Sequence, residues 1–442
     1  MSAKDTIVAK ATAEAMAAIG IIRISGQNAL SLAKDIFTSK EIKGDIEARR
    51  MYLGQVSTKN FKDKAFCIYY KAPNSYTGED VVEIQAHGGQ TLLDGIFREL
   101  VSMGARPAHP GEFTKRAYLN GKVDLAKAEG ISDMISASSE AEIMQAYRLM
   151  QGELSKTITA SIEKLTEAVA GLEAILDYPE ELEEDTRPES LALIKEVKAD
   201  LEKTYASSKN RRYITEGINI SLCGLTNVGK SSLMNAILND DRAIVTDIAG
   251  TTRDVLKENF MIDGLKVNLV DTAGIRDSKD SIEQIGIKKA KEAIQGADVI
   301  LFVMDTSIEE TDEEKALYNT LDKQKTIRVA NKGDILKYPR KADVLIEAET
   351  GKNIEKLMDL ILEKLNVKNL AKSTTLTRER HIFAIKSAIE SLDNAIEVYD
   401  NMTIDCILVD IKQALRRLAD ITGEDVDEAI VDRVFSKFCV GK

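Results

Sequence analysis

Short apolar runs with the composition of β-strands recur through residues 1 to about 118. They lie at 6–9, 21–24, 66–70 and 81–84. Valine, isoleucine and aromatic residues dominate these runs, which is typical of strands. Apolar positions at helical spacing separate some of them, at 28–37 and 91–103. The pattern predicts a mixed α+β domain over residues 1–118.

The pattern changes near residue 123. From there to about residue 212, and again from 377 to about 421, alanine, glutamate, lysine and leucine dominate. Such a composition indicates long helices, with a break expected near Pro179. Between the two helical stretches, apolar strand-like runs alternate with helical patterns. Because a domain tolerates an insertion where its ends lie close together, we predict one helical domain, 119–212 plus 372–442, interrupted by an inserted α/β domain at 213–371.

A glycine-rich loop opens the inserted domain. An apolar run at 218–223 leads into Gly224, and the segment 224–231 reads G-x-x-x-x-G-K-S before a helical pattern at 232–238. Strand, loop and helix are the context that a phosphate-binding P-loop requires. Lys230 is expected to reach the β- and γ-phosphates, and the Ser231 hydroxyl to ligate Mg²⁺. The whole chain is therefore expected to be a multidomain α/β protein with an inserted, Rossmann-like P-loop domain.

Three further segments follow in the order that a GTPase needs. The sequence T-T-R-D stands at 251–254, D-T-A-G at 271–274 and N-K-G-D at 331–334. The carboxylate of Asp334 can accept hydrogen bonds from guanine N1–H and N2–H₂, which adenine cannot supply. Four motifs in order make a chance occurrence remote, and they predict a guanine-nucleotide hydrolase.

Several positions depart from the usual GTPase pattern. Glu347-Ala348-Glu349 stands where S-A-x is common, although the Ala348 N–H could still reach guanine O6. Ile275, after the D-T-A-G glycine, cannot orient the attacking water. The side chain of Asn227 could hold a monovalent cation beside the phosphates, supported by carbonyls of the 246–251 loop, or it could only brace the P-loop turn; chemistry alone leaves both open.

Composition limits the remaining possibilities. The chain has 442 residues, of which 44% are hydrophobic and 30% charged, with a net charge of −12. This balance is typical of globular domains. The negative charge repels nucleic acid, so RNA contact requires a local basic patch or a partner protein. The four cysteines and three histidines are scattered, which disfavours a transition-metal site. No apolar run approaches the ~18 residues of a membrane span, and the first residues lack a signal-peptide layout, so a cytoplasmic location is expected.

Segments along nearly the whole chain resemble one family. They are D-T-I-V-A at 5–9, R-I-S-G at 23–26, N-S-Y-T-G-E-D at 74–80, P-G-E-F-T at 110–114, T-D-I-A-G-T-T-R-D at 246–254 and F-C-V-G-K at 438–442. Together they resemble the tRNA-modification GTPase family MnmE, also called TrmE. The resemblance covers about 430 residues and all three predicted domains.

The resemblance implies an activity and its partners. Members of this family work with the flavin (FAD)-dependent MnmG subunit, as a heterotetramer, to place a carboxymethylaminomethyl- or aminomethyl-type group on C5 of the wobble uridine of certain tRNAs. A reduced folate, 5-formyl- or 5,10-methylene-tetrahydrofolate, supplies one carbon. The N-terminal domain forms a homodimer, across which the GTPase domains meet when GTP and K⁺ are bound.

The resemblance also assigns residues. Glu283 would orient the attacking water and act in catalysis with Lys230, although without the resemblance a solvated carboxylate at a helix start is the simpler interpretation. Mg²⁺ would be held by Ser231 and Thr252, and K⁺ by Asn227, Thr246, Ile248 and Thr251. Folate would be held by Arg23, Glu79, Lys122 and Lys442. With the motifs, GTP binding is assigned to Asn227, Val228, Gly229, Lys230, Ser231, Ser232, Thr246, Asp247, Ile248, Ala249, Gly250, Thr251, Thr252, Asp271, Thr272, Ala273, Gly274, Asn331, Lys332, Asp334, Glu347, Ala348 and Glu349.

Alternatives stay open beside these assignments. The family usually carries a Pro- and Gly-rich stretch with an Arg where this chain has A-E-A-M-A-A at 13–18, which weakens the folate assignment. Arg23 and Glu79 could instead form an ordinary surface ion pair. Cys439 lies in an apolar run and is expected to be buried and inert rather than catalytic.

Two other functions compete with tRNA modification. One is a regulatory GTPase acting in ribosome assembly, which shares the potassium-type GTPase domain but would carry a basic RNA-binding module that residues 372–442 lack. The other is a folate-binding structural protein with a vestigial GTPase domain. The intact Lys230, Asp271 and Asp334 argue against it.

Overall fold

The computed structural model describes residues 5–177, 186–240, 244–245, 257–271, 292–424, 426 and 428–441, and only the backbone of 244, 245, 257 and 271. Contacts divide the chain into two compact units. Unit 1 contains Met1–Ser132, Leu149–Ile194 and Ser391–Lys442, and unit 2 contains Asp133–Arg148 and Lys195–Glu390. The predicted domain boundaries near 118, 212 and 372 divide the helices differently and stay predictions.

Unit 1 contains a seven-stranded sheet. Its strands are β1 (Ile7–Lys10), β2 (Ala17–Ser25), β3 (Phe37–Thr38), β4 (Met51–Ser57), β5 (Lys62–Tyr70), β6 (Val81–Gly88) and β7 (Arg106–Pro107), in the order β3-β4-β5-β6-β2-β1-β7. All neighbours are antiparallel except β1 and β7. In β6, Val82, Ile84 and Ala86 alternate into the core, as a sheet with one covered face requires.

Helices α1 (Ala29–Ile36), α2 (Gln90–Ser102) and α3 (Glu112–Leu119) accompany this sheet. Leu32 of α1 and Ile96 and Leu100 of α2 are buried in the same core as the strands. The strands and helices predicted for the N-terminal segment are thus confirmed at β1, β2, β5, β6, α1 and α2.

Long helices make up the next stretch and the end of the chain. They are α4 (Leu125–Ser136), α5 (Glu140–Met150), α6 (Glu153–Asp177), α7 (Arg187–Ala206) and the short α8 (Arg211–Thr215). α6 is described as far as Asp177, and the break predicted near Pro179 lies outside the described residues. Near the C-terminus, the helix Ile404–Thr422 packs along α6 within unit 1, and Lys412 contacts Glu173 at 2.6 Å.

Unit 2 holds the second seven-stranded sheet. Its strands are β8 (Ile218–Cys223), β9 (Ile244–Val245), β10 (Lys257–Ile262), β11 (Leu265–Asp271), β12 (Val299–Asp305), β13 (Thr326–Asn331) and β14 (Val344–Leu345), in the order β14-β13-β12-β8-β11-β10-β9. The five strands from β14 to β11 are parallel, and β10 and β9 are antiparallel to their neighbours. β12 is buried along its whole length, as expected for a central parallel strand.

Further helices are α9 (Lys230–Leu238), α10 (Asp312–Asn319) and α11 (Ile354–Lys364) in unit 2, followed by α12 (Glu379–Val398), α13 (Ile404–Thr422) and α14 (Glu428–Phe435). None of the helices within the described ranges is long and apolar enough to cross a membrane. The parallel strands β8, β11, β12 and β13 end at the same edge of their sheet. In open α/β sheets, ligands bind at the carboxyl ends of the strands, and this edge carries the P-loop after β8 and the N-K-G-D segment at the end of β13. The predicted multidomain α/β fold is confirmed.

Candidate functional site

The glycine-rich loop joins β8 to α9 in a tight curve. Asn227 and Gly229 have φ angles of 62° and 93°, in the left-handed region. Asparagine is one of the few residues with a side chain that adopts it readily. At Gly229 a Cβ atom would lie 2.3 Å from Asn331 Nδ2. The close approach of the loop to Asn331 therefore requires glycine at that position.

Lys230, the first residue of α9, is 6% exposed. Its Nζ donates hydrogen bonds to the main-chain oxygens of Gly224 at 3.0 Å and Leu225 at 2.5 Å. The ammonium thus lies inside the loop whose N–H groups would wrap the phosphates. Ser231 and Ser232 follow at the N-terminus of α9 with exposed side chains, where the helix dipole favours negative charge.

Asn331, the last residue of β13, bonds to both the P-loop and the 347–349 loop. Its side chain is buried, Nδ2 donates to Val228 O at 3.1 Å and Oδ1 accepts from Ala348 N at 3.1 Å. The Ala348 N–H predicted to reach guanine O6 therefore donates to Asn331 in this structure. The amide needs both partners because an unpaired polar group in this buried position would be costly.

Lys332 follows Asn331 with a φ of 64°. Its Nζ lies 2.6 Å from Asp305 Oδ2 and 3.3 Å from Asn227 O. Burial would raise the pKa of Asp305, but hydrogen bonds from Lys332 and Ser307 outweigh burial and hold that pKa below its usual value. Asp334, the predicted guanine reader, is exposed on the short turn Gly333–Ile335.

Glu347 stands at the position where the corresponding S-A-x segment of GTPases carries serine. Its carboxylate accepts from Thr350 Oγ1 at 3.0 Å and pairs with Lys352 Nζ at 2.6 Å, and the Lys352 hydrogen bond lowers the pKa of Glu347. The loop is thus braced by an ion pair. A polar cavity of about 550 Å³ lies between α9 and this loop, lined by Ser232, Asn235, Asn239, Asp240, Ala348 and Thr350, among others.

Sequence reasoning missed Asp305 and Thr306 at the end of β12. Thr306 Oγ1 donates to the main-chain oxygens of Asn331 at 2.8 Å and Lys332 at 2.9 Å. The signal was present: Asp305 closes an apolar run just as Asp271 does. The last residues of parallel strands lie at the same edge of a sheet. Asp305 and Thr306 could therefore have been added to the predicted nucleotide site.

Many assigned residues lie outside the described part of the chain. They are Thr246, Asp247, Ile248, Ala249, Gly250, Thr251, Thr252, Thr272, Ala273, Gly274, Ile275, Glu283 and Lys442, and only the backbone of Asp271 is described. The assigned Mg²⁺ partner Thr252, the K⁺ loop and the water-orienting glutamate therefore stay predictions.

Models of known protein families match both the N-terminal segment and the rest of the chain. The family model described as "GTP-binding protein TrmE N-terminus" matches residues 6–122, and that described as "MnmE helical domain" matches residues 125–439. The tRNA modification GTPase MnmE of Aquifex aeolicus (strain VF5) is 39% identical over 451 residues, which cover 99% of this chain and 100% of the relative. That of Clostridioides difficile (strain 630) is 40% identical over 456 residues, with 99% of each chain covered.

The chain belongs to the MnmE family. Among solved structures, the G domain of the T. maritima FeoB iron transporter is 24% identical. The match covers 34% of this chain and 98% of that domain, with a TM-score of 0.26.

Arg23 and Glu79, which the MnmE resemblance assigns to folate, have different partners in the structure. Arg23 Nε donates to Glu83 Oε1 at 2.9 Å, and Arg23 NH1 donates to Gly441 O at 3.1 Å. Glu79 instead accepts from Ser25 Oγ at 2.8 Å and from Arg116 NH1 at 3.0 Å. The alternative of an Arg23–Glu79 surface ion pair is wrong, because Arg23 lies directly opposite Glu83 in the β2–β6 register.

Other groups lie close to these MnmE-family residues. Tyr76 stacks near Arg23, whose guanidinium carbon is 5.7 Å from the ring centre. Lys122 is exposed, and its Cε lies 3.3 Å from where a Cβ on Gly78 would stand. The segment at 13–18 is exposed, and Ala17 begins β2. Gln90 Nε2 donates to Glu14 O at 2.8 Å, which anchors this altered loop to the N-terminus of α2.

The C-terminal MnmE motif docks through the Phe438 side chain and through its backbone. Phe438 is buried beside Phe435, with ring centres 5.3 Å apart, and Gly111 N donates to Cys439 O at 3.3 Å. The thiol of Cys439 is nevertheless exposed. The expectation that Cys439 is buried is therefore wrong: alternation along the docked tail buries Phe438 and turns its neighbour outward.

Proposed function

We propose that this chain hydrolyses GTP and couples hydrolysis to modification of C5 of the wobble uridine in certain tRNAs. The observation that carries the proposal is that Asn331 of the N-K-G-D segment bonds both to Val228 of the P-loop and to Ala348 of the 347–349 loop, in a chain that matches MnmE relatives over 99% of its length. A GTP site needs both loops at a fixed separation, and one buried amide sets that separation.

Within the site each residue has one task. Lys230 neutralises charge on the β- and γ-phosphates, and α9 presents its N-terminal N–H groups to them. Asp334 accepts from guanine. The Ser231 hydroxyl, exposed at the start of α9, fits a Mg²⁺ ligand, with Thr252 as the second. Bound Mg²⁺ would neutralise charge on the phosphates.

Potassium is part of the same proposal. Asn227 holds a left-handed turn at the P-loop, and its side chain with Thr246, Ile248 and Thr251 would surround K⁺. Glu283 would orient water, since Ile275 cannot. A cation beside the phosphates would supply the positive charge that GTPases otherwise take from an arginine.

A reduced folate, of the 5-formyl- or 5,10-methylene-tetrahydrofolate kind, is proposed to bind in unit 1. Its pterin requires a carboxylate, and Glu79 is held in place by Arg116 and Ser25. Its glutamate tail requires cations, which Lys122, Arg23 and Lys442 would supply. Tyr76 adds an aromatic face beside Arg23. The residues present therefore fit the ligand class.

The assembly proposed is a homodimer through the N-terminal domain that joins the FAD-dependent MnmG subunit in a heterotetramer and acts on tRNA. The net charge of −12 supports a partner-assisted RNA contact, because the chain's overall charge repels nucleic acid. A regulatory role in ribosome assembly is the second candidate.

Mass spectrometry of tRNA nucleosides tests the proposal. Cells that lack this chain should lose C5-modified wobble uridine, and the wild-type chain should restore it. Lys230→Ala should fail to restore it, whereas Lys364→Ala, an exposed lysine at the end of α11, should succeed. Unchanged wobble uridine in the deleted cells, with altered ribosomal subunit profiles, would overturn tRNA modification in favour of ribosome assembly.

A further inference from the structure

An ion pair between a buried aspartate and a half-buried lysine joins the end of β12 to the guanine-recognition loop, the N-K-G-D segment at 331–334. Asp305 is 4% exposed, and its Oδ2 lies 2.6 Å from Lys332 Nζ. The other oxygen, Oδ1, accepts from Ser307 N at 2.8 Å and from Ser307 Oγ at 2.6 Å. Both carboxylate oxygens are thus occupied by donors, which fixes the carboxylate in one orientation and makes it a rigid anchor.

The backbone of Lys332 is held by the same strand end. Thr306 Oγ1 donates to Lys332 O at 2.9 Å, and Thr306 N donates to Asn331 O at 3.1 Å. The left-handed φ of 64° at Lys332 is uncommon for a lysine. The bonds from Thr306 therefore hold the main chain while Asp305 holds the side chain.

Lys332 also reaches the phosphate loop. Its Nζ donates to Asn227 O at 3.3 Å, so one ammonium spans β12 and the P-loop. Arg340, a second cation nearby, donates to the main-chain oxygens of Asp305 at 3.3 Å and Ile308 at 2.8 Å. Arg340 therefore supports the strand end and leaves the carboxylate to Lys332.

We propose that Asp305 is a positioning residue for guanine-nucleotide binding, which fixes Lys332 across the P-loop before the nucleotide arrives. The proposal rests on the GTP-binding function proposed above. A lysine side chain has four rotatable bonds and loses rotamer freedom when it is held. An ion pair already formed in the free protein removes that cost from the binding step, which raises affinity for GTP and GDP alike.

A matched control exists at the other end of the same strand. Asp298 immediately precedes β12 and is 6% exposed. It pairs with Arg212 and accepts from Asn219 N at 2.9 Å. Asp298 thus resembles Asp305 in burial, charge partner and main-chain bond, but it stands at the amino end of the strand. Asp298→Asn therefore measures what loss of a buried aspartate does to the unit without touching the nucleotide loops.

The test is the affinity of the full-length chain for fluorescent GDP and GTP analogues, with steady-state GTP hydrolysis. Asp305→Asn should weaken both nucleotides roughly tenfold, the effect expected for loss of one charged hydrogen bond. KM for GTP should rise while kcat at saturating GTP stays close to the wild-type value. Asp305→Glu, which keeps the charge, should recover part of the affinity, and Asp298→Asn should bind as the wild type does.

A double-mutant cycle distinguishes loss of the Asp305–Lys332 interaction from a general loss of folding. In a Lys332→Met background, Asp305→Asn should weaken binding no further, because the ammonium it positions is already gone. Wild-type affinity in Asp305→Asn, or an equal loss in Asp298→Asn, would overturn the positioning role while leaving GTP binding intact. Failure of the wild-type chain to bind either nucleotide would instead overturn the proposed function.

Discussion

Single side chains join segments that are far apart in the sequence. Asn331 contacts Val228, more than one hundred positions earlier, and Ala348 on the next loop. Gly229 is glycine because Asn331 leaves no room for a Cβ. Gly229 and Asn331 belong to separate sequence motifs but pack directly against each other. A change at either position therefore disturbs both nucleotide loops.

Asp334 is expected to determine base selectivity. Asp334→Asn replaces an acceptor by a donor, so the variant should bind GTP more weakly and prefer xanthosine triphosphate, which presents the inverted pattern. Because Asp334 is exposed, its replacement should leave the thermal unfolding midpoint close to that of the wild type. Competition binding with the two nucleotides measures the switch; unchanged GTP affinity would contradict it.

At the scale of elements, the tail after α14 is part of the N-terminal structure. Gly111, with a φ of 67°, allows the chain to approach Phe435 O, where a Cβ would be only 2.5 Å away. Phe435 and Phe438 share a small core with Leu125 and Val431. The tail is thereby placed where Gly441 O meets Arg23, which brings the two ends of the sequence to one site.

Phe438→Ala is expected to release the tail. Truncation of a buried phenylalanine costs about 3–5 kcal/mol of stability, and here the loss falls on the segment that carries Gly441. Hydrogen exchange at 436–441 should accelerate, and calorimetric binding of 5-formyltetrahydrofolate should weaken. Phe37→Ala, a truncation in the first sheet's core, should destabilise comparably without freeing the tail. Folate binding that survives tail release would remove the tail from the site.

At the scale of the whole molecule, hydrolysis is proposed to depend on pairing of two GTPase domains around K⁺. The reason is chemical: Ile275 cannot position water, and the proposal assigns that task to Glu283 and the missing positive charge to a cation near Asn227. The chain's MnmE relatives match it end to end. The whole chain, rather than the GTPase domain alone, is therefore the unit to be assayed.

Turnover is expected to be several-fold faster in KCl than in NaCl at equal ionic strength. Asn227→Lys, which places an ammonium where the cation would bind, should abolish the difference between salts. Asn366→Lys is the matched control, because Asn366 is also left-handed, with a φ of 54°, and exposed. Equal rates of the wild type in both salts would reject the cation role.

The sequence by itself determined the elements and the motif order. The apolar alternation of β6 and the G-K-S segment before α9 are local patterns, because a strand, a helix start and a left-handed turn depend on residues a few positions apart. The fold class followed from the alternation of such elements. Local chemistry also identified Lys230 and Asn331 as nucleotide residues, and the structure brings both to the carboxyl ends of the parallel strands of one sheet.

Tertiary structure alone decided which charges pair. Arg23 faces Glu83 rather than Glu79 because the β2–β6 register places them opposite each other, and register depends on the packing of the whole sheet. The exposed thiol of Cys439 depends on how the tail docks. The bond from Lys332 to Asp305 depends on the parallel alignment of β12 and β13, which places Asp305 beside Asn331. Such contacts join residues tens to hundreds of positions apart, and no local pattern carries that information.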